Sequence, residues 1–521
     1  MLFNSLSFIF GFLPAALLLF YLLGRVHRTA GVIFLTAASL GFYARWRPQD
    51  LWILGFAIVF NFLVGGVIQR LHAAGRLRAV RGVLAIGVVV DLGLLGYYKY
   101  ANFVVDNLAL ATGRDITLHH IVLPLAISFF TFQKIAYLND SARGEVRGTG
   151  FLEFSLFAAF FPQLLSGPIV HYSEIIPQLR GRMFTRFQAR NLMIGLAIFS
   201  FGLFKKTVIA DTLALYANPL FTHVASQHYD VARGWSASFS YMLQLYFDFS
   251  GYSDMAIGLA RMFGVKLPLN FHSPLRAASI IDYWRRWHMS LQRFLLAYVY
   301  QPIAIPLNRW SAERGFGRWP GFAVTVGVPT FVTFLLSGIW HGAGWTFIVF
   351  GLLHAFYVLT NQIWREIEKA ARKRRRQAKL PPLEPGWLRI LGYRLLTTFA
   401  LGFTNVFFRA TSVADGWTVS KAMLGLSGGI GSAFDGTAMS LDMALVVGVA
   451  ALIVVLFPNT QQIMSAYRPA TNYAEWRGVN HPPLMWRWRP TPFGFAFLAA
   501  VFFAGLMMVQ RGEAVFLYFN F

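Results

Sequence analysis

Ser337-Gly338-Ile339-Trp340-His341-Gly342-Ala343-Gly344-Trp345 stands between two strongly apolar runs, residues 321–339 and 344–364, and neither run carries a charge. Each run approaches the roughly 20 residues that a helix needs to cross about 30 Å of hydrocarbon. Comparable uncharged runs recur at 1–23 and 51–68. A polar side chain buried in such surroundings costs several kcal/mol unless it has a partner or lines a wet cavity. His341 is therefore the first residue to explain.

The same pattern extends over the whole chain. Of 521 residues, 56% are hydrophobic, 17% aromatic and 13% charged, and mean hydropathy is +0.52. A soluble domain has about 25% charged residues, so the chain reads as an all-α polytopic membrane protein. Spans are expected near 3–23, 30–43, 51–68, 83–98, 121–138, 151–166, 191–206, 236–249, 321–339, 345–363, 390–408, 441–457 and 493–510. Several are short or polar-interrupted, which leaves roughly 10–13 spanning or re-entrant helices. The stretch 173–190 carries Arg180, Arg182, Arg186 and Arg190 among apolar residues and reads as an interfacial amphipathic helix. One integral-membrane domain, 1–521, is expected. The longest polar connections, about 365–388, 409–440 and 458–491, are too short for a soluble catalytic domain.

The formal net charge of +24 is read as topology and lipid contact, not nucleic-acid binding. Arg25, His27 and Arg28 follow the first span; Arg70, Arg76, Arg78 and Arg81 follow the third; Arg372-Lys373-Arg374-Arg375-Arg376 form a third cluster. The positive-inside rule places all three in the cytoplasm and the N-terminus outside. The first span lacks a basic leader and reads as uncleaved. The chain has no cysteine, which excludes disulfides, thiolate metal sites and a cysteine nucleophile. No metal site is expected. An acyl group held covalently by this chain has to sit on a hydroxyl, a histidine or a lysine.

Polar groups crowd the central third. Tyr246-Phe247-Asp248-Phe249-Ser250-Gly251-Tyr252-Ser253-Asp254 places two carboxylates in an aromatic segment, with Gly251 and Gly258 permitting a break or a close helix approach. Asn270-Phe271-His272-Ser273-Pro274 and Trp284-Arg285-Arg286-Trp287-His288 follow. Asp248 and Asp254 either pair with Arg285 or Arg286 to hold the bundle or serve a substrate. The two arginines equally suit a phosphate-bearing donor. Trp340 and Trp345 bracket the small residues beside His341, which are expected to open space at the imidazole. A neutral imidazole works as a general base near neutral pH and can deprotonate a hydroxyl that attacks a thioester. His288 reads as orienting substrate or as structural, and His354 as structural. Gly167-Pro168-Ile169 marks a helix break that either kinks a helix or lines a cavity. Lys134 is expected to snorkel or to pair with an acid.

Six stretches together resemble the membrane-bound O-acyltransferase family, in the subgroup serving bacterial alginate O-acetylation: Ser128 to Tyr137, Phe160 to Val170, Tyr246 to Gly264, Trp284 to Leu291, Ser337 to Trp345, and Val406 to Ala410. The resemblance runs from about 120 to 410. It implies that His341 is the catalytic histidine and His288 the second active-site position, 341 − 288 = 53 residues apart. It implies a ring of helices around a central funnel, an acetyl donor taken from the cytoplasm, no cofactor besides acetyl-CoA as donor substrate, and a separate periplasmic SGNH-type or similar transferase. The chain departs from that pattern at Leu296-Ala297, where relatives often have Arg-Asp, and at Ile303-Ala304-Ile305-Pro306, which replaces a Gly-rich stretch. Both bear on donor or partner binding.

The reading is a bacterial inner-membrane O-acyltransferase that passes acetyl from acetyl-CoA toward an exported polysaccharide such as alginate. His341 and His288 are catalytic; Trp340, Trp287, Arg285, Arg286, Asp248, Asp254 and Tyr246 are donor- or substrate-binding. Other partners implied are the polysaccharide export machinery and membrane lipid. The alternatives are the same fold acting on peptidoglycan, cellulose or a teichoic-type polymer, and a transporter or export scaffold without chemistry.

Overall fold

The computed structural model describes residues 2–114, 121–165, 167–381, 385–427, 440–473, 486–509 and 517. Parts of the expected connections 409–440 and 458–491 lie outside the described residues. Every regular element among those described is helical. Helices satisfy their own backbone polar groups without water, so they are the form apolar runs take in lipid. Seven are long and apolar enough to cross a membrane: Ser7–Val26, Pro48–Ala73, Leu77–Thr112, Ala189–Ala217, Arg318–His341, Trp345–Gln377 and Trp387–Arg409. Leu441–Leu456 and Pro492–Met508 are shorter apolar helices. Large apolar side chains such as Leu18, Leu63, Val89, Phe356, Leu396 and Phe503 point outward on these helices, as a lipid-facing surface requires and a water-facing one resists.

Three expected spans are corrected. Residues 121–138 do not form one span: the helix is Ile127–Ala142, and nearly all its side chains are buried in protein. Residues 151–166 break at Phe160 into Phe151–Ala159 and Phe161–Leu164. Residues 236–249 are the middle of a 32-residue helix, Val231–Met262. The amphipathic stretch is also shorter than expected: Tyr172–Arg180 is helical, begun by a His171/Glu174 capping box, and the chain then turns at Gly181. Arg180 is held by Glu153 at 2.8 Å.

The chain forms two compact units. The first holds residues 1–208, 247–270 and 458–520; the second holds 209–246, 271–457 and 521. In the first, Ala189–Phe204 crosses residues 247–262 backbone against backbone. A Cβ on Gly202 would lie 2.6 Å from the Gly251 carbonyl oxygen, and one on Gly258 2.6 Å from that of Gly195. The close approach expected of Gly251 and Gly258 is what they provide. It brings the end of the first helix near enough to the second for two ion pairs, Lys206 Nζ to Asp248 Oδ1 at 2.6 Å and Lys205 Nζ to Asp254 Oδ2 at 2.8 Å. Gly167, Pro168 and Ile169 line a small pocket, little larger than a water molecule, with Phe129, Phe130, Gln133 and Gln163. Lys134 does not snorkel: it is fully buried and donates to Gln133 Oε1 at 2.9 Å.

In the second unit, Val328–His341 and Trp345–Gln377 also meet through glycine. A Cβ on Gly338 would lie 2.9 Å from the Gly351 Cα, and one on Gly351 2.6 Å from the Phe334 carbonyl oxygen. This crossing holds the end of the first helix, and His341 with it, against the start of the second.

Candidate active site

His341 is the last residue of its helix, and Gly342 continues in extended backbone. The imidazole is 3% exposed and stands in an aromatic box. Its ring centroid lies 4.9 Å from Trp340, 5.1 Å from Phe408 and 5.6 Å from Phe350. The Phe347 ring packs on Gly342 where a Cβ would otherwise be. Small residues here admit an aromatic wall.

His288 is also a neighbour of Trp340, ring centroids 6.0 Å apart. It caps Met289–Leu295 in left-handed backbone, φ 43° and ψ 52°, a conformation that histidine adopts more readily than most residues. It is fully buried, and that burial pushes its pKa down to about 3, so the ring stays neutral across physiological pH. The two histidines thus neighbour one indole within a single unit.

His354 has the structural part expected of it. The Trp284 indole N–H donates to its Nδ1 at 3.1 Å, and the rings meet edge to face. Trp287 stacks on Tyr283 at 5.6 Å and lies 6.5 Å from Tyr246, and Phe271 neighbours both Trp287 and Tyr246. Tyr246 and Trp287 are therefore neighbours, in an aromatic cluster that carries the backbone toward His288. Arg286 pairs with Asp282 at 2.9 Å, while Arg285 is exposed.

Asp248 and Asp254 belong to the first unit. The expected pairing with Arg285 or Arg286 is corrected: Lys206 and Lys205 are their partners. Asp248 also accepts the Leu517 backbone N–H, and Asp254 the Gln461 side-chain amide. Their oxygens are committed to these contacts, which describe a structural clamp.

The sequence reading passed over Thr333 and Ser337. Both are buried, and neither hydroxyl has a hydrogen-bond partner among the described residues. They precede His341 by eight and four residues, so all three share one helix face. The available signal was that four-residue spacing of polar groups in an uncharged run. His272, quoted but given no role, is buried; its N–H donates to the Arg286 carbonyl at 3.0 Å. Burial, then the Arg286 charge, pushes its imidazole down to about 4.

A buried imidazole, a polar helix face and a second neutral histidine inside a lipid-facing helical protein suit transfer of an uncharged group between two substrates. Residues 106–384 match MBOAT, the membrane-bound O-acyltransferase family. The chain is 38% identical over 455 residues to a peptidoglycan O-acetyltransferase of Helicobacter pylori, covering 82% of this chain and 80% of the relative. It is 38% identical over 429 residues to a probable alginate O-acetylase, AlgI, of Pseudomonas aeruginosa, covering 81% and 75%. A probable AlgI of Azotobacter vinelandii is 37% identical over 430 residues, covering 81% and 78%. The chain belongs to the membrane-bound O-acyltransferase family. It is a multi-pass membrane enzyme of the acyltransferase class.

Proposed function

We propose that the enzyme takes acetyl from acetyl-CoA at the cytoplasmic face of the bacterial inner membrane and passes it outward for O-acetylation of an exported polysaccharide. The observation that carries this is a pair of buried imidazoles that both neighbour the Trp340 indole. His341 accepts the proton of the accepting hydroxyl as that oxygen bonds to the thioester carbonyl carbon. The carbon–sulfur bond then breaks, and the departing thiolate takes the proton from His341. His288 stays neutral and positions donor or acceptor. Thr333 and Ser337 offer their hydroxyls to the substrate approaching along the same face. Trp340, Trp287, Tyr246, Arg285 and Arg286 are proposed to shape donor or acceptor binding, and Asp248 and Asp254 to hold their helix crossing through Lys206 and Lys205.

Alginate or a similar polymer is the first acceptor supported by the relatives. A second, peptidoglycan, is favoured by the Helicobacter relative, whose likeness extends over 455 residues against 429 for the Pseudomonas one. The test is release of CoA from acetyl-CoA by purified protein. The His341→Ala variant is expected to lose about 10²–10⁴-fold in rate, as for a lost general base, with chromatographic behaviour and melting unchanged. Wild-type release rates in that variant would refute the assignment.

A further inference from the structure

Arg261 ends the Val231–Met262 helix and is only 8% exposed. Its Nε has no hydrogen-bond partner, and no carboxylate pairs with it among the described residues. Buried guanidinium groups ordinarily have an anionic partner, because an unpaired buried charge is costly. The charged groups that act on Arg261 and on nearby Lys266 are cations. Burial and then the Arg190 charge oppose its ionised form, and Lys266 is pushed down by burial and then by Arg261, Arg468 and Arg190.

Hydrogen bonds fix this grouping within the first unit. The Gln178 side chain accepts the Lys266 N–H at 2.8 Å and donates to the Lys266 carbonyl at 3.0 Å. Thr471 N–H donates to the Leu267 carbonyl at 3.1 Å, and Leu269 N–H to Asn472 Oδ1 at 2.8 Å. These bonds hold the segment after Arg261 beside the segment after Arg468. Arg190 stands at the start of Ala189–Phe204, whose N-cap, Gln188, makes no side-chain cap. A cation there opposes the helix dipole, whereas an anion is stabilised by it.

We propose that Arg261, Arg190, Lys266 and Arg468 form a binding site for a phosphate-bearing anion. Guanidinium forks match phosphate oxygens in pairs, and an anion supplies the counter-charge that the protein does not. The phosphate can come from an anionic phospholipid head group or from a soluble polyphosphate. This site stands independently of the acyl-transfer reading.

The test uses full-length protein in neutral detergent, measured two ways: calorimetric titration with inorganic pyrophosphate, and native mass spectrometry of phosphatidylglycerol retained through purification. Arg261→Gln is compared with R190Q/R468Q, which changes only exposed residues and so keeps the fold. At least tenfold weaker pyrophosphate binding in both variants, with wild-type binding weakening as salt rises, assigns a soluble phosphate. Loss of retained phosphatidylglycerol in both assigns a lipid head group. Both changes together assign the site to phosphate from either source. If the wild type binds neither, or both variants match it in both measurements, the proposal is overturned.

Discussion

His288 and His341 neighbour the same indole, yet different features fix them. His341 is set by a helix end and a glycine break, and His288 by left-handed backbone at the start of a short helix. His341 was legible in the sequence because an isolated polar residue between uncharged runs is conspicuous. The enclosure of His288 was not, since Trp-Arg-Arg-Trp-His reads equally as a surface. Its burial has a consequence for stability. With a pKa of about 3 when folded against roughly 6.5 unfolded, the unfolded chain binds the proton more readily. Stability contributed by the neutral ring is therefore present above pH 6.5 and lost as pH falls toward 3. His288→Asn removes that dependence while keeping a residue that tolerates left-handed backbone. Between pH 7 and pH 5 the melting temperature of the wild type should fall more than that of the variant, measured in the same detergent. Equal slopes would show that His288 is not held neutral by burial.

Among elements, the long apolar helices were readable from length and charge alone, and 318–341, 345–377 and 387–409 appear where expected. The short central ones were not. Ile127–Ala142 and Phe151–Ala159 are apolar because protein surrounds them, and hydropathy does not distinguish protein surroundings from lipid. The partners of Asp248 and Asp254 were missed for a related reason: Lys205 and Lys206 lie more than 40 residues earlier and are brought close only by the Gly195/Gly258 and Gly202/Gly251 crossing. Breaking a buried pair from one side costs about 3–5 kcal/mol. Lys206→Asp should therefore fail to accumulate or should melt far below the wild type. Adding Asp248→Lys should recover much of the loss, because the charges are again opposite. Fluorescence-detected size exclusion of the two variants checks this. A double variant no better than the single one would show that the pair contributes no specific attraction.

At the scale of the whole molecule, the basic loops carry the prediction of orientation. Loops 24–29, 70–82 and 366–388 are expected in the cytoplasm on their Arg and Lys excess. With no native cysteine, single cysteines at 76 and 374 are clean probes, and a membrane-impermeant thiol reagent should leave both unlabelled in intact cells; labelling of either would reverse that orientation. The orientation bears on how the acyl group leaves. None of the connections at 365–388, 409–440 and 458–491 approaches the roughly 50 residues of a small soluble domain. Meanwhile His341 is buried deep among aromatic rings. A loose polysaccharide would rarely bring a hydroxyl to that imidazole, whereas a bound partner or small carrier holds one there at high effective concentration. Purified protein given acetyl-CoA should therefore hydrolyse it slowly and leave free polysaccharide unmodified. Adding a periplasmic SGNH-type transferase encoded beside it should restore acetylation of the polymer, followed as radiolabelled acetyl in the polysaccharide fraction. Efficient labelling of soluble polymer by the purified protein alone would show that the buried site serves the polymer directly and that no second protein is needed.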